Sequence, residues 1–196
     1  SAVADVQSGS GHLQMPASSN GWARAADDAT SPRNAGSTHQ DAELTATVKA
    51  TTIGGGLATR LWMRASGAWN GTNQFLQQDG YALRLNQAGS TVAIVETVGG
   101  AETQLTSTSF TFSAGATYKV RFQTVGTTLR AKVWNSTGSE PGSWTVTTTD
   151  ATRTSGTTAV SANTATNSAV RDVYIDDVAI TPATSALAST TWSTSR

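Results

Sequence analysis

The sequence predicts an all-β fold, either two packed antiparallel sheets or a barrel, and three observations lead there. Runs of alternating apolar and polar residues, rich in Val, Thr, Leu and aromatics, recur along most of the 196 positions, as they do in half-buried strands. Helical spacing of apolar residues is almost absent. Clusters of Gly, Asn, Ser and Pro cut the runs at short intervals, which is the chemistry of turns.

Taken in order, the runs are 42–49, 58–64, 81–86, 91–98, 103–108, 117–124, 128–135, 144–149, 158–163 and 169–180. Gly54-Gly55-Gly56 precedes the second, 86–89 divides the third from the fourth, and Gly99-Gly100 makes a tight turn into the fifth. Residues 113–115 introduce the sixth, Gly126 alone joins it to the seventh, and 138–142, with Pro141, leads to the eighth. Residues two apart on a strand share a face. Tyr118, Val120 and Phe122 therefore oppose Lys119, Arg121 and Gln123, and Leu61 and Met63 oppose Arg60, Trp62 and Arg64. Tyr81, Leu83 and Leu85 likewise oppose Ala82, Arg84 and Asn86, and Leu129, Ala131 and Val133 oppose Arg130, Lys132 and Trp134. An apolar stripe is thus backed by a stripe of Arg, Lys or Trp. Residues 1–180 read as one sandwich domain. Residues 181–196 hold little apolar beyond Leu187 and Trp192, too little burial to offset ordering, and read as a linker or the start of a following element.

Composition narrows the function. Thirteen basic and thirteen acidic residues cancel, leaving no overall field to draw nucleic acid or an anionic membrane. Ser and Thr fill 56 positions, and no run approaches the ~18 apolar residues of a membrane span, so a soluble chain is expected. Residues 1–10 are polar and small, with no signal peptide among them, and read as the start of a mature or excised segment. The absence of cysteine excludes disulfides, thiolate zinc sites and a thiol nucleophile. His12 and His39 are the only histidines, so a three-histidine zinc site is impossible. Asp41 and Glu43 have the spacing that puts two carboxylates on one face of a strand, as a retaining glycosidase requires. They open a strand of small and apolar residues, however, and read as solvated. The adjacent pairs Asp27-Asp28 and Asp176-Asp177 point to opposite faces. No catalysis is expected.

The run Thr128-Leu-Arg-Ala-Lys-Val-Trp134, then Glu140-Pro-Gly-Ser-Trp144, Asp150 and Val173-Tyr-Ile-Asp-Asp-Val-Ala-Ile180, resembles the concanavalin A-like, laminin-G-like jelly rolls of actinobacterial secreted proteins and phage minor tail proteins. Its closing segment also resembles the end of jelly-roll carbohydrate-binding modules. The resemblance covers about 42–180 and implies a two-sheet antiparallel jelly-roll β-sandwich. It further implies a lectin-like, extracellular module whose partner is a polysaccharide or cell-surface glycan, either for host attachment on a phage tail or as an accessory module of a secreted protein. In such families the closing strand often supplies a structural calcium, with a partner from the first strand and the oxygen donors calcium prefers. Asp176, Asp177 and Asp5 stand at those places. A salt bridge from the acid pair to Arg171, or a hydrogen-bonded turn carboxylate, is the competing reading.

Trp62 between Arg60 and Arg64, with Arg84 on the neighbouring run and Trp69 in a Gly/Asn-rich loop, is the candidate ligand site. A tryptophan flanked by planar cations suits stacking on a sugar ring while guanidinium forks bind hydroxyls or carboxylates. The rival reading has this stripe covered by the N-terminal segment or by a second copy, in a structural or oligomerisation domain without ligand. Trp134 and Trp144 bracket the Glu140-Pro141 turn and are expected to pack on each other and on Pro141.

Overall fold

A computed structural model describes residues 2–7, 10–17, 20–26, 38–166 and 169–184. Among them are thirteen strands and no helix: β1 (Val3–Gln7), β2 (Ser10–Met15), β3 (Trp22–Ala26), β4 (Ala42–Ala50), β5 (Ala58–Trp69), β6 (Gln77–Asn86), β7 (Thr91–Val98), β8 (Ala101–Ser109), β9 (Thr117–Val125), β10 (Thr128–Asn135), β11 (Val146–Thr149), β12 (Thr157–Asn163) and β13 (Arg171–Pro182). They form a seven-stranded sheet in the order β1-β2-β13-β4-β9-β10-β11 and a six-stranded sheet in the order β3-β12-β5-β6-β7-β8. The pairings are antiparallel, and the fold is the expected concanavalin A-like jelly-roll sandwich.

Each of the ten expected runs holds a strand, although β11 begins at Val146 and β13 at Arg171, each two residues later than expected. β1 was expected only as a strand-like stretch around Asp5, and β2 and β3 were not expected, because their apolar positions are few: β2 reads Ser-Gly-His-Leu-Gln-Met. β13 runs two residues past Ile180, with Thr181 and Pro182 paired to Glu43 and Ala42. Residues 185–196, read from sequence as a linker, lie outside the described residues.

Alternation puts Leu44, Ala46 and Val48 of β4 and Val120 and Phe122 of β9 against Leu61 and Met63 of β5, Leu83 and Leu85 of β6 and Ile94 of β7, all buried between the sheets. Burial of this kind is the main stabilising contribution. A second apolar cluster sits on the outside of the six-stranded sheet, made of Trp62, Ala65, Leu76, Ala82, Ala93, Val95 and Ala159 with Trp69 and Phe75 packed against it.

On the outside of the seven-stranded sheet, His12 joins three strands. Its Nδ1 lies 2.8 Å from Asp5 Oδ1 on β1 and its Nε2 2.9 Å from Asp172 Oδ1 on β13, with only 1% of its side chain exposed. The Tyr174 ring stacks on it at 4.9 Å. Burial works to lower the His12 pKa, but the hydrogen bonds and charges of Asp172 and Asp5 outweigh it and raise the pKa above the ordinary 6.5. A folded-state value above the unfolded one gives stability that is complete below about pH 6.5 and lost as pH rises through the folded value. Glu102 and Asp150 are held below their ordinary carboxyl values, Glu96, pushed up chiefly by burial, is common to the wild type and a His12 variant, and burial and Asp150 push Tyr81 up to about 12. A fall in melting temperature between pH 6.5 and 9 that is present in the wild type and absent in His12→Gln is therefore the expected result of thermal scans. Parallel curves would remove the histidine from the account.

Candidate functional site

The outer face of the six-stranded sheet carries two cross-strand rows. Arg24, Ser161, Arg60 and Arg84 form one and Trp22 and Asn163 the next. The stripe of Arg60, Trp62 and Arg84 read from sequence does lie on this face, but its groups are already engaged.

Trp62 is wholly buried. The 70–76 loop between β5 and β6 folds back over it, because Asn70 ties the loop into a turn. Asn70 Oδ1 accepts from the Thr72 and Asn73 amides, both at 2.8 Å, and its Nδ2 donates to Gly100 O. Leu76 and Phe75 then pack against the second cluster. Trp62 Nε1 donates to Ser161 Oγ at 2.9 Å, and that hydroxyl donates to Phe75 O at 2.7 Å. No sugar can stack on this ring in this arrangement, which corrects the sequence reading. The chain's own loop also supplies the cover that the rival reading assigned to the N-terminal segment or a second copy.

Arg60, 5% exposed, donates to Glu102 Oε2 at 2.7 Å and to Asn163 Oδ1 at 2.6 Å, with its guanidinium 4.9 Å from the Phe75 ring. Arg84 takes the other oxygen of Glu102 and also Gln104 Oε1. Burial works to raise the Glu102 pKa, but Arg60 and Arg84 outweigh it and hold the carboxyl below its ordinary range. These forks are spent on Glu102. Arg64 leaves the face altogether. A register shift between Met63 and Ser66, with φ 50° at Arg64, turns its guanidinium to the carbonyls of Gln40, Gly126 and Arg153 and to Asp41.

What remains open lies beside the stripe. The Arg24 guanidinium sits between the rings of Trp22 (4.6 Å) and Trp69 (5.0 Å) and donates to Gln74 O, so the predicted Trp69 helps fix a neighbouring wall. A cleft of about 410 Å³ follows, walled by Asn20 and Trp22 on one side and by Thr72, Asn73, Gln74 and Phe75 on the other, with Asn163 and Ala165 lining it as well. Two aromatic rings among amides and a hydroxyl match the chemistry of a sugar, which offers apolar C–H faces and a rim of donors and acceptors. Sequence reasoning missed Trp22, Asn20, Asn73 and Asn163. The faint signal was Trp22 and Arg24 at alternate positions, in a stretch with no apolar pattern to mark a strand.

The proposed calcium ligands are not brought together. Asp5, on β1, serves His12 on the neighbouring β2, and β1 lies two strands from the β13 that carries Asp176 and Asp177. Asp176 accepts from Ser10 Oγ at 2.8 Å and from the Asp177 amide at 2.9 Å. Simple alternation required one acid of the pair to face the core. β13 instead bulges between Asp176 and Ala179, with φ 51° at Asp177, and both acids are exposed. Arg171 donates to Thr52 Oγ1. Among the described residues no group of three His, Cys, Asp or Glu is arranged to hold a metal ion, so these residues do not fit a calcium site. Asp41 accepts from Arg64 and the Gly126 amide, and Glu43 from Arg121 and Gln123. Trp144 packs under Arg130 at 4.4 Å and Lys132 at 5.1 Å, whereas mutual packing with Trp134 was expected.

No family model matches the sequence, and no curated protein matches it. The fold is similar to that of carbohydrate binding module CBM66 from Bacillus subtilis, at TM-score 0.61 and 10% identity over 92% of this chain and 90% of that one. It is also similar to the VIP36 exoplasmic/lumenal domain in its Ca2+/Man3GlcNAc-bound form, at TM-score 0.61 and 13% identity over 93% and 82%. A third similar structure is a Bacillus licheniformis beta-glucanase, at TM-score 0.59 and 13% identity over 92% and 82%.

Proposed function

We propose that the chain is a non-catalytic carbohydrate-binding module whose saccharide lies in the cleft between Trp22 and residues 72–75. One observation carries this reading: an open cleft of about 410 Å³ pairs a half-exposed tryptophan with Asn20, Asn73, Gln74 and Asn163. The similarity in fold to a carbohydrate binding module and to a saccharide-bound lumenal domain supports it. The non-catalytic part is supported by Asp41 and Glu43, which have the spacing of a catalytic pair but serve Arg64 and Arg121. An extracellular setting goes with this reading, as a host-attachment domain of a phage tail or an accessory module of a secreted protein.

A glycan array probed with wild type and Trp22→Ala tests the site. Trp22 is half-buried at the cleft wall, so its removal leaves the fold intact. Affinity is expected to fall by about 1–3 kcal/mol, the loss seen when an aromatic ring stacked on a nucleic-acid base is removed. Equal binding by both proteins would sink the cleft. The bound polysaccharide should gain no reducing ends on prolonged incubation, and their appearance would make the chain an enzyme.

A further inference from the structure

The outer face of the seven-stranded sheet holds a separate cleft of about 230 Å³, lined among others by Thr45, Thr47, Lys119, Trp134, Glu140 and Asp177. Three features set it apart from an incidental hollow. Its rim is pinned: Glu140, in the loop between β10 and β11, accepts from Lys132 at 2.9 Å and from Arg121 at 3.0 Å, and Arg121 is anchored in turn on Glu43. The hydrogen bond from Lys132, with Arg121 beside it, holds the Glu140 carboxyl below its ordinary range. Asp177 reaches the cleft only because β13 bulges there with a left-handed backbone, φ 51°. That conformation is uncommon for residues with a Cβ, Asp and Asn adopting it more readily than most, and bulges re-aim side chains. Finally, the Lys119 ammonium, the Asp177 carboxylate and the Trp134 indole N–H have no protein partner among the described residues.

We propose that this cleft is a second saccharide site, one that takes a neutral hexose unit. The Trp134 ring stacks on the apolar face of the sugar, the Asp177 carboxylate accepts from its hydroxyls, and Lys119 donates to a hydroxyl or ring oxygen. Two cations, Lys119 and Arg121, face two anions, Asp177 and Glu140, so the cleft offers no net charge to an acidic sugar. This site stands on its own observations and does not depend on the Trp22 cleft. With both occupied, a single chain holds saccharide on the outer faces of both sheets.

The test is a titration of isotope-labelled protein with neutral gluco-, galacto-, manno- and fructo-oligosaccharides, read at the six tryptophan indole signals. The Trp134 signal is assigned by its loss in Trp134→Phe. It is expected to shift and saturate with at least one probe, and Asp177→Asn should weaken that saturation by about tenfold, the order of a lost charge-assisted hydrogen bond. Asparagine tolerates the left-handed backbone, so the rest of the spectrum should be unchanged. A Trp134 signal that stays still or never saturates with every probe, or an affinity indifferent to Asp177→Asn, overturns the site. Saturation at Trp22 alone overturns this site and keeps the other, and saturation at Trp134 alone does the reverse.

Discussion

Trp62→Ala is expected to destabilise the fold by about 3–5 kcal/mol, the range for deleting a fully enclosed aromatic ring. The ring is the largest of the fully buried side chains and the centre of the outer apolar cluster. Its truncation leaves a cavity beneath Leu76 and Phe75 that the sheet backbone cannot close. It also strips Ser161 Oγ of the donor it receives from the indole, and Ser161 is what fastens Phe75 O and hence the 70–76 loop. Chains of this size typically have about 5–15 kcal/mol to lose. Urea melts with unchanged m-values are the check. Trp62→Phe, which keeps most of the volume, should lose clearly less. A Trp62→Ala loss below about 1 kcal/mol would mean the ring is exposed after all.

Arg64→Ala is expected to cost a similar amount, about 3–5 kcal/mol for several buried acceptors orphaned at once, through a different mechanism. One guanidinium, 2% exposed, donates to three carbonyls from separate loops, Gln40 at 2.9 Å, Gly126 at 2.9 Å and Arg153 at 2.7 Å, and pairs with Asp41 at 3.2 Å. Removing it orphans acceptors at one end of the sandwich, where an unmade hydrogen bond costs more than a made one contributes. Lysine cannot substitute, because a compact ammonium lacks the planar fork that spans three acceptors. Arg64→Gly should be less damaging than Arg64→Ala by about 1 kcal/mol, since glycine relieves the left-handed backbone. If Arg64→Lys melts with the wild type, the guanidinium is not holding these loops.

Both variants mark where local pattern stopped being informative. The sandwich was legible because period-2 alternation has one buried face to report. Leu61, Met63, Val120 and Phe122 fell where alternation put them, and turn residues such as Gly126 cut the strands correctly. Trp62 was placed on the correct face and given the wrong surroundings. What buries it is a loop from the same chain, and the fold-back of 70–76 depends on a tertiary fit to Ala82, Val95 and Ala159 that no periodicity encodes. Arg64 and Asp177 escaped for a shared reason. A strand with an irregular register breaks the two-residue rule, and both residues sit at such breaks with positive φ. Trp22 escaped because β3 is five residues long and three of them are alanine, so the pattern gave it no strand to belong to.

In the proposed arrangement saccharide lies between Trp22 and the 72–75 loop while Trp62 serves the fold. Backbone amide shifts of labelled protein, titrated with a saccharide selected on the array, test it most directly. The saturable shifts should map to 20–22, 72–75 and 163–165, with those of 61–63 left in place. Saturable shifts that leave the Trp22 cleft untouched and gather over Trp62, with the 70–76 loop displaced, would contradict it.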